Sequence, residues 1–347
     1  FLYPIIKYIG LRYNLFDKPN KRKIHKKSLI RIGGLLIFLS FYISNVLFVK
    51  LNLLDSIYIN NQKHLFIILI SALFFFLVGF LDDIKSINPS KRLILLIGIT
   101  TIYWFLSFDY LNINIFVNNF FNNDLPDYFS KSISLFLTLL WVVGITNAVN
   151  WIDGLDGLAG STTLIIFTVL TYIAKDLNDF NFALINSLMI GALLGFLNFN
   201  KNPARIFMGD GGSYFLGFML ASLSFYLYSD LIIENNQTNY NNFISLISLF
   251  SYHLIDMFLV VAERISNGKS PFLPDKNHLH HKLLESGMSI KKTYFMLIIL
   301  SILFALISIS FYIYKVNIIN SISYAILIIV LIFLRNRNKH YAKIKDV

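Results

Sequence analysis

The sequence predicts an all-α fold: a polytopic membrane helical bundle of about ten or eleven transmembrane helices in one domain, residues 1–347. Of the 347 residues, 56% are hydrophobic and 14% are charged, against roughly 25% charged residues in soluble domains. Apolar runs long enough to cross about 30 Å of hydrocarbon recur along the chain. The chain has no cysteine, which excludes disulfides and thiolate metal sites.

Ten apolar spans follow a partial one. Residues 1–10 have the character of the tail of a span, and the sequence begins with Phe1 rather than methionine, so we expect a truncated N-terminal helix. The ten spans are predicted at 33–49, 65–81, 93–108, 133–149, 161–174, 182–199, 214–233, 243–262, 293–314 and 317–334.

Basic residues are shared unevenly between the two sets of loops. One set comprises 17–31, 82–92, 150–160, 200–213, 263–292 and 335–347. It carries 23 Lys and Arg residues, and the opposite set carries 5. The positive-inside rule assigns the first set to the cytoplasm. The net charge of +11 therefore indicates topology and contact with membrane lipids, and no nucleic acid partner is expected.

The first cytoplasmic loop is strongly basic, DKPNKRKIHKKSLIR at residues 17–31. One interpretation is a cluster that binds anionic lipid headgroups, worth about 1 kcal/mol per cation. The other is a clamp for phosphates, with Lys23 and His25 as candidate ligands.

Asp82 and Asp83 directly follow the predicted span 65–81. Adjacent carboxylates repel each other, and the helix dipole disfavours anions at a helix C-terminus. Either Mg²⁺ binding or a raised pKa, which makes one aspartate a base, relieves this repulsion.

Residues 147–160 read NAVNWIDGLDGLAG and lie between two apolar runs. Asn147, Asn150 and Asp153 share a face if the preceding helix continues through them. The carboxylates of Asp153 and Asp156 cost energy near a membrane unless they meet a cation, a donor or water. Glycines allow the backbone to approach a ligand closely. A binding segment is therefore favoured over a polar loop with a glycine C-cap.

Residues 200–213 read NKNPARIFMGDGGS. Asp210 stands among three glycines, and Ser213 is placed to cap the following helix. This pattern favours an ion- or phosphate-binding turn over an ordinary glycine-rich turn.

Two further sets of polar residues occur near the C-terminal half. His253 and Asp256 lie one turn apart inside the span 243–262, so either they pair with each other or Asp256 lines a site. His278, His280 and His281 suit proton transfer or anion contact. Zinc is disfavoured because no carboxylate or cysteine accompanies them at the usual spacing.

Together these segments resemble the polyprenyl-phosphate N-acetylhexosamine-1-phosphate transferases, the membrane family that includes the phospho-MurNAc-pentapeptide translocase. Five motifs carry the resemblance, in the family's order. They are DKPNKRKIH…RIGG (17–34), LDD (81–83), NAVNWIDGLDGLAG (147–160), NKNPARIFMGDGGS (200–213) and PFLPDKNHLHHKLLESG (271–287). The PD-x-x-HLHH form is similar to the branch that uses UDP-N-acetylhexosamines. The family usually has proline where Ile30 stands here, and often where His253 stands.

The resemblance implies that undecaprenyl phosphate attacks the β-phosphorus of a UDP-N-acetylhexosamine and releases UMP. It implies a Mg²⁺ cofactor on Asp210, with Mn²⁺ left open as a substitute. Asp82 and Asp83 are then a second metal ligand or a base, and Asp156 accepts a hydrogen bond from the uracil. Asn150, Asp153, Asp156 and Asn200 are assigned to the uridine and ribose, and His278, His280, His281, Lys23 and His25 to the diphosphate. Of these residues, His280 and His281 are also candidate catalytic groups.

The implied setting is the cytoplasmic face of a bacterial inner membrane, at the first membrane step of a cell-envelope glycan such as lipopolysaccharide. A homodimer is left open.

Two rival classes of protein remain. A transporter or flippase also carries charges within spans, but here only Asp256 lies well inside one. A CDP-alcohol phosphotransferase groups its aspartates in a single segment with a different glycine spacing, which this chain lacks.

Overall fold

A computed structural model of the chain describes residues 1–17, 28–51, 57–108, 110, 117, 126–234, 237–238, 240–271 and 275–345. Its helices are α1 (Leu2–Arg12), α2 (Gly34–Lys50), α3 (Ile57–Lys85), α4 (Pro89–Ser107), α5 (Asp127–Ile152), α6 (Leu158–Asp176), α7 (Phe180–Asn200), α8 (Gly209–Ile232), α9 (Tyr240–Ser266), α10 (Leu279–Glu285), α11 (Ile290–Tyr314) and α12 (Ile318–Lys345). Two short antiparallel pairs join β1 (Phe16–Asp17) to β2 (Leu29–Ile30) and β3 (Ile233–Glu234) to β4 (Gln237–Thr238).

Each of the ten predicted spans coincides with a helix, and the predicted all-α membrane class is confirmed. Within the described part of the chain, eight helices are long and apolar enough to cross a membrane. Two helices at predicted spans fall outside that set. Helix α2 is apolar but has only 17 residues, and α8 begins with the polar segment that contains Asp210.

Helix α8 forms the centre of the bundle and packs against α2, α3, α5, α6 and α9. Its residues 213–224 are all buried. Small residues bring its N-terminus close to its neighbours. A β-carbon at Gly79 of α3 would lie 2.2 Å from the backbone oxygen of Asp210, and one at Gly34 of α2 would lie 2.2 Å from the backbone nitrogen of Gly212. The two aspartates at the end of α3 are therefore held beside the start of α8.

The segment that contains Arg31 runs beside the residues that lead into α8. The backbone N–H of Phe207 donates to the carbonyl of Ile30 over 2.8 Å, and the N–H of Gly33 donates to the carbonyl of Phe207 over 2.8 Å. These bonds join the RIGG motif to the MGDGGS motif.

A smaller apolar core positions the histidine segment. Leu279 and Leu283 of α10 are fully buried and belong to one cluster with Tyr252 of α9, Leu297 of α11 and Leu331 of α12. Helix α10 is too short to be stable alone, so this packing fixes it at the end of the bundle.

Candidate active site

Three carboxylates meet at the junction of α3 and α8, and two arginines lie between them. Arg31 donates from Nε to Asp83 over 2.8 Å and from a terminal nitrogen to Asp210 over 3.3 Å. Arg92 donates to Asp82 over 2.6 Å and to Asp210 over 3.2 Å. Three carboxylates therefore face two guanidinium groups. This excess of carboxylates over protein cations suits the cluster to a further cation.

Asp83 is the most enclosed member of the cluster. Its side chain is 1% exposed, and its carboxylate accepts hydrogen bonds from the backbone N–H groups of Asp210 and Gly211, each over 2.9 Å. It thus satisfies two of the N–H groups that a helix N-terminus leaves unpaired. The prediction that Ser213 caps this helix is wrong, because α8 already begins at Gly209, whose φ of +76° suits glycine.

Asp82 and Asp210 are engaged differently. Asp82 also accepts a hydrogen bond from the backbone N–H of Ile87 in the turn between α3 and α4. Asp210 is the most accessible carboxylate of the three, with 21% of its side chain exposed against 6% for Asp82. A ligand that approaches the cluster therefore meets Asp210 first.

Asn150 connects the third motif to this cluster. Its amide nitrogen donates to Asp210 over 2.7 Å and to the Ser213 hydroxyl over 2.9 Å. Helix α5 ends at Ile152, so Asp153 leaves the helical face that the sequence predicted for it. The helix ends because the glycine-rich residues that follow turn the chain.

Asp156 and Asn200 hold two loops together. Asp156 accepts hydrogen bonds from the Asn202 amide and from the backbone N–H of Ala204, each over 3.0 Å. Asn200 is buried; it accepts from the N–H of Gly157 over 3.0 Å and donates to the carbonyl of Ile206 over 2.9 Å. Both polar atoms of Asn200 are thus engaged within the protein.

Asp153 is half-buried in the loop after α5. Burial raises the pKa of its carboxyl to about 7, and the negative charges of Asp83, Asp156 and Asp17 act in the same direction. A carboxyl that titrates near neutral pH is typical of functional sites.

The three predicted histidines occupy distinct environments. His278 lies 2.8 Å from Asp256 through Nδ1. His280 is buried between its two neighbours, with ring centroids 5.8 Å from His278 and 4.3 Å from His281. Burial and the two adjacent histidines hold the pKa of His280 well below its usual range, and burial together with His278 lowers the pKa of His281 to about 4. His280 and His281 are therefore neutral at pH 7.

The histidine segment touches the loop after α5. A β-carbon at Gly154 would lie 2.2 Å from Nε2 of His280, so only glycine allows this contact. The Trp151 ring lies 5.6 Å from that of His278. Because Asn150 contacts Asp210 and the adjacent Trp151 contacts His278, the end of α5 joins the carboxylate cluster to the histidine segment.

Three arginines that contact the predicted site residues had no role in the sequence prediction. Arg31 belongs to a recognised motif. Arg92 is one of three basic residues in the predicted cytoplasmic loop 82–92, with Lys85 and Lys91, so the sequence indicates a cation near the paired aspartates but does not single out Arg92. Arg335 of α12 donates to Asp256 over 3.0 Å, and no sequence pattern indicates it. The alternative in which His253 pairs with Asp256 is wrong, because His253 hydrogen-bonds Thr162 over 3.1 Å instead.

Lys23 and His25 lie outside the described residues. In the part of the chain that is described, no group of three His, Cys, Asp or Glu side chains has the arrangement of a metal site. The carboxylate cluster nevertheless fits Mg²⁺, which binds through one or two carboxylates completed by phosphate oxygens and water. Asp210 and Asp82 would hold the ion, and Arg31 and Arg92 now neutralise those same oxygens.

Comparisons with known proteins show which family the chain resembles. The sequence profile of glycosyl transferase family 4 matches residues 65–228. A probable undecaprenyl-phosphate N-acetylglucosaminyl 1-phosphate transferase of Bacillus subtilis (strain 168) is 30% identical over 306 residues, 87% of this chain and 79% of the relative. A phospho-N-acetylmuramoyl-pentapeptide-transferase of Staphylococcus aureus (strain JH9) is 28% identical over 294 residues, 82% of this chain and 85% of the relative.

Proposed function

The chain belongs to glycosyl transferase family 4, whose members include polyprenyl-phosphate sugar-1-phosphate transferases, and we propose that it transfers GlcNAc 1-phosphate from UDP-GlcNAc to undecaprenyl phosphate. The products are undecaprenyl-diphospho-GlcNAc and UMP. The sugar and the lipid are those in the name of the Bacillus subtilis relative. The proposed site faces the cytoplasm at the inner membrane of a bacterium, where the product begins a cell-envelope glycan.

The observation that carries this proposal is the pairing of two unlike clusters at one end of the bundle. One is the Asp82, Asp83 and Asp210 cluster with its two arginines, and the other is the histidine segment. The first can hold a cation and phosphate groups. The second contains imidazole rings, which can donate or accept hydrogen bonds to a substrate. A reaction between a phosphate monoester and a diphosphate needs cations and hydrogen-bond donors around the phosphates.

The reaction displaces one phosphate from another. An oxygen of the lipid phosphate attacks the β-phosphorus of the UDP-sugar, the bond from that phosphorus to the α–β bridging oxygen breaks, and UMP leaves with the electron pair. Two unit anions at 4 Å repel by roughly 4 kcal/mol at an effective dielectric constant of 20. Cationic groups must offset this repulsion before attack occurs.

Arg31 and Arg92 are the protein cations nearest to the reacting phosphates in this proposal. Their side chains are 26% and 22% exposed, so each can exchange a carboxylate partner for a phosphate oxygen. A bound Mg²⁺ would supply further positive charge at the β-phosphate and the leaving UMP. Asp210 is the first choice for its ligand and Asp82 the second. We assign Asp83 to holding the start of α8, so that Asp210 faces the ligand.

No strong base is required. The second pKa of a phosphate monoester is about 6, so most of the lipid phosphate is already dianionic at neutral pH. We therefore favour positioning and charge neutralisation over proton abstraction for Asp82 and Asp83. Asp153 and Asp156 are proposed to face the uridine, and His281 the diphosphate.

The test is release of UMP by the purified protein in detergent with undecaprenyl phosphate and Mg²⁺, across a panel of UDP-N-acetylhexosamines. We expect UMP only when lipid and metal are both present, and fastest with UDP-GlcNAc. UMP formed from another sugar alone would correct the donor. No UMP with any donor would refute the transferase proposal and favour a transporter.

A further inference from the structure

A network of buried charges surrounds His278, away from the carboxylate cluster. Asp256 of α9 is 1% exposed. Its Oδ2 lies 2.8 Å from Nδ1 of His278, and its Oδ1 accepts from the backbone N–H of Leu279 over 2.8 Å and from Arg335 over 3.0 Å. A carboxylate that accepts from a backbone N–H and an arginine is ionised. An ionised carboxylate only accepts hydrogen bonds, so Nδ1 of His278 carries the proton.

The charges of this network balance without a charge on His278. Arg335 donates to both Asp256 and Glu263, and Lys282 also donates to Glu263 over 2.6 Å. Arg264 forms two hydrogen bonds with Asp275, over 2.9 and 3.0 Å. Three carboxylates thus match three cations. The rings of Trp151 and His280 lie 5.6 and 5.8 Å from the imidazole of His278, and neither carries a charge.

We propose that Asp256, held by Arg335, fixes His278 as the neutral tautomer with the proton on Nδ1, so that Nε2 accepts a hydrogen bond from an O–H or N–H group of the nucleotide-sugar. This inference rests on the proposed function for the identity of the ligand alone. A neutral Nε2 has a lone pair, which repels a phosphate oxygen and attracts a hydroxyl or amide hydrogen. We therefore expect His278 to contact a hydroxyl or amide group of the ligand, rather than the diphosphate to which the sequence assigned all three histidines.

The two oxygens of the Asp256 carboxylate have different partners, so an amide at this position can take only one orientation. In Asp256→Asn the amide oxygen must take the Oδ1 place, because the Leu279 N–H and Arg335 both donate there. The NH₂ group then takes the Oδ2 place and donates to Nδ1 of His278. That nitrogen can accept only if the proton moves to Nε2, so the tautomer is inverted and the Nε2 lone pair is lost.

The experiment is solid-state ¹⁵N NMR of histidine-labelled protein in liposomes without substrate. The chain has seven histidines, and the His278 signals are assigned by their loss in His278→Gln. We expect a protonated Nδ1 and a bare Nε2 in the wild-type protein, and the reverse in Asp256→Asn. The control is Glu263→Gln, which removes a carboxylate from the same network without touching His278 and should leave the tautomer unchanged.

A protonated Nε2 in the wild-type protein would overturn the proposal, and this measurement needs no variant to fold. An unchanged tautomer in Asp256→Asn would overturn the role of Asp256.

In the transferase assay, Asp256→Asn should lower kcat/KM for UDP-GlcNAc by about 10-fold or more, as expected for loss of one buried hydrogen bond to substrate. The KM for undecaprenyl phosphate should stay the same, whereas a general loss of structure would change both. If the wild-type protein releases no UMP, the proposed function fails, and the tautomer result stands by itself.

Discussion

Replacing Asp83 by asparagine should cost the protein stability as well as activity. Its carboxylate accepts from Arg31, from the N–H of Asp210 and from the N–H of Gly211. Each hydrogen bond to a charged group is worth about 1.5–3 kcal/mol. Asparagine keeps one oxygen, and its NH₂ group must then face a donor, so at least one N–H loses its partner. With the charge also lost beside a partly buried arginine, we expect the free energy of unfolding to fall by about 3 kcal/mol.

The assay is an unfolding titration of the purified protein in dodecyl sulfate, followed by tryptophan fluorescence. A matched control is Asp176→Asn, because Asp176 accepts a single exposed hydrogen bond from Tyr312 over 2.7 Å. We expect that control to change the free energy of unfolding by less than about 1 kcal/mol. If Asp83→Asn unfolds within about 0.5 kcal/mol of the wild-type protein, yet loses turnover, then Asp83 acts directly on the ligand and the reasoning is refuted.

Three further predictions concern the same face. Asp210→Asn should lower turnover by about 10³-fold, because it removes the first-choice metal ligand; activity above a few per cent would contradict the metal role. Gly154→Ala should destabilise the protein by about 1–3 kcal/mol, since its β-carbon would meet His280 at 2.2 Å. The β-carbon of Gly98→Ala meets nothing within 4 Å and lies inside α4, so this control should stabilise the protein by up to about 1 kcal/mol in the same titration. Burial raises the pKa of Asp153 from 3.8 to about 7, so the folded protein holds a proton that the unfolded chain releases. Stability should then fall as pH rises from 4 to 7, and Asp153→Asn should flatten that slope.

The helices and the motifs of the site could be predicted because membrane spans and polar loop segments differ strongly in composition. All ten predicted spans coincide with helices. The sequence also indicated that Asp82, Asp83 and Asp210 share one face, and they do meet.

What relieves the repulsion between Asp82 and Asp83 could not be predicted from local sequence. The paired aspartates end one helix, where the dipole is unfavourable. The structure sets Asp83 against the N-terminus of α8, where the dipole is favourable, and adds Arg31 from a third segment. Arg31 and Gly211 lie 52 and 128 residues away from Asp83 in the sequence. Sequence periodicity does not predict contacts over such distances.

The partners of Asp256 could not be predicted either, because they are also distant in sequence. Helical spacing indicated only His253, which lies one turn away. The carboxylate instead meets His278 and Arg335, which lie on α10's N-terminus and on α12. Tertiary packing decides such pairs, since helical spacing shows only which side chains share a face.

In the proposed reaction a sugar 1-phosphate, rather than a sugar alone, moves to the lipid. The most direct measurement uses UDP-GlcNAc with ³²P in the β-phosphate, incubated with the protein, undecaprenyl phosphate and Mg²⁺, and then extracted into organic solvent. We expect the label to enter the lipid phase while unlabelled UMP stays in water, and Asp210→Asn to abolish this transfer. Label retained in water as UDP, with the sugar alone on the lipid, would refute the transfer of a sugar 1-phosphate.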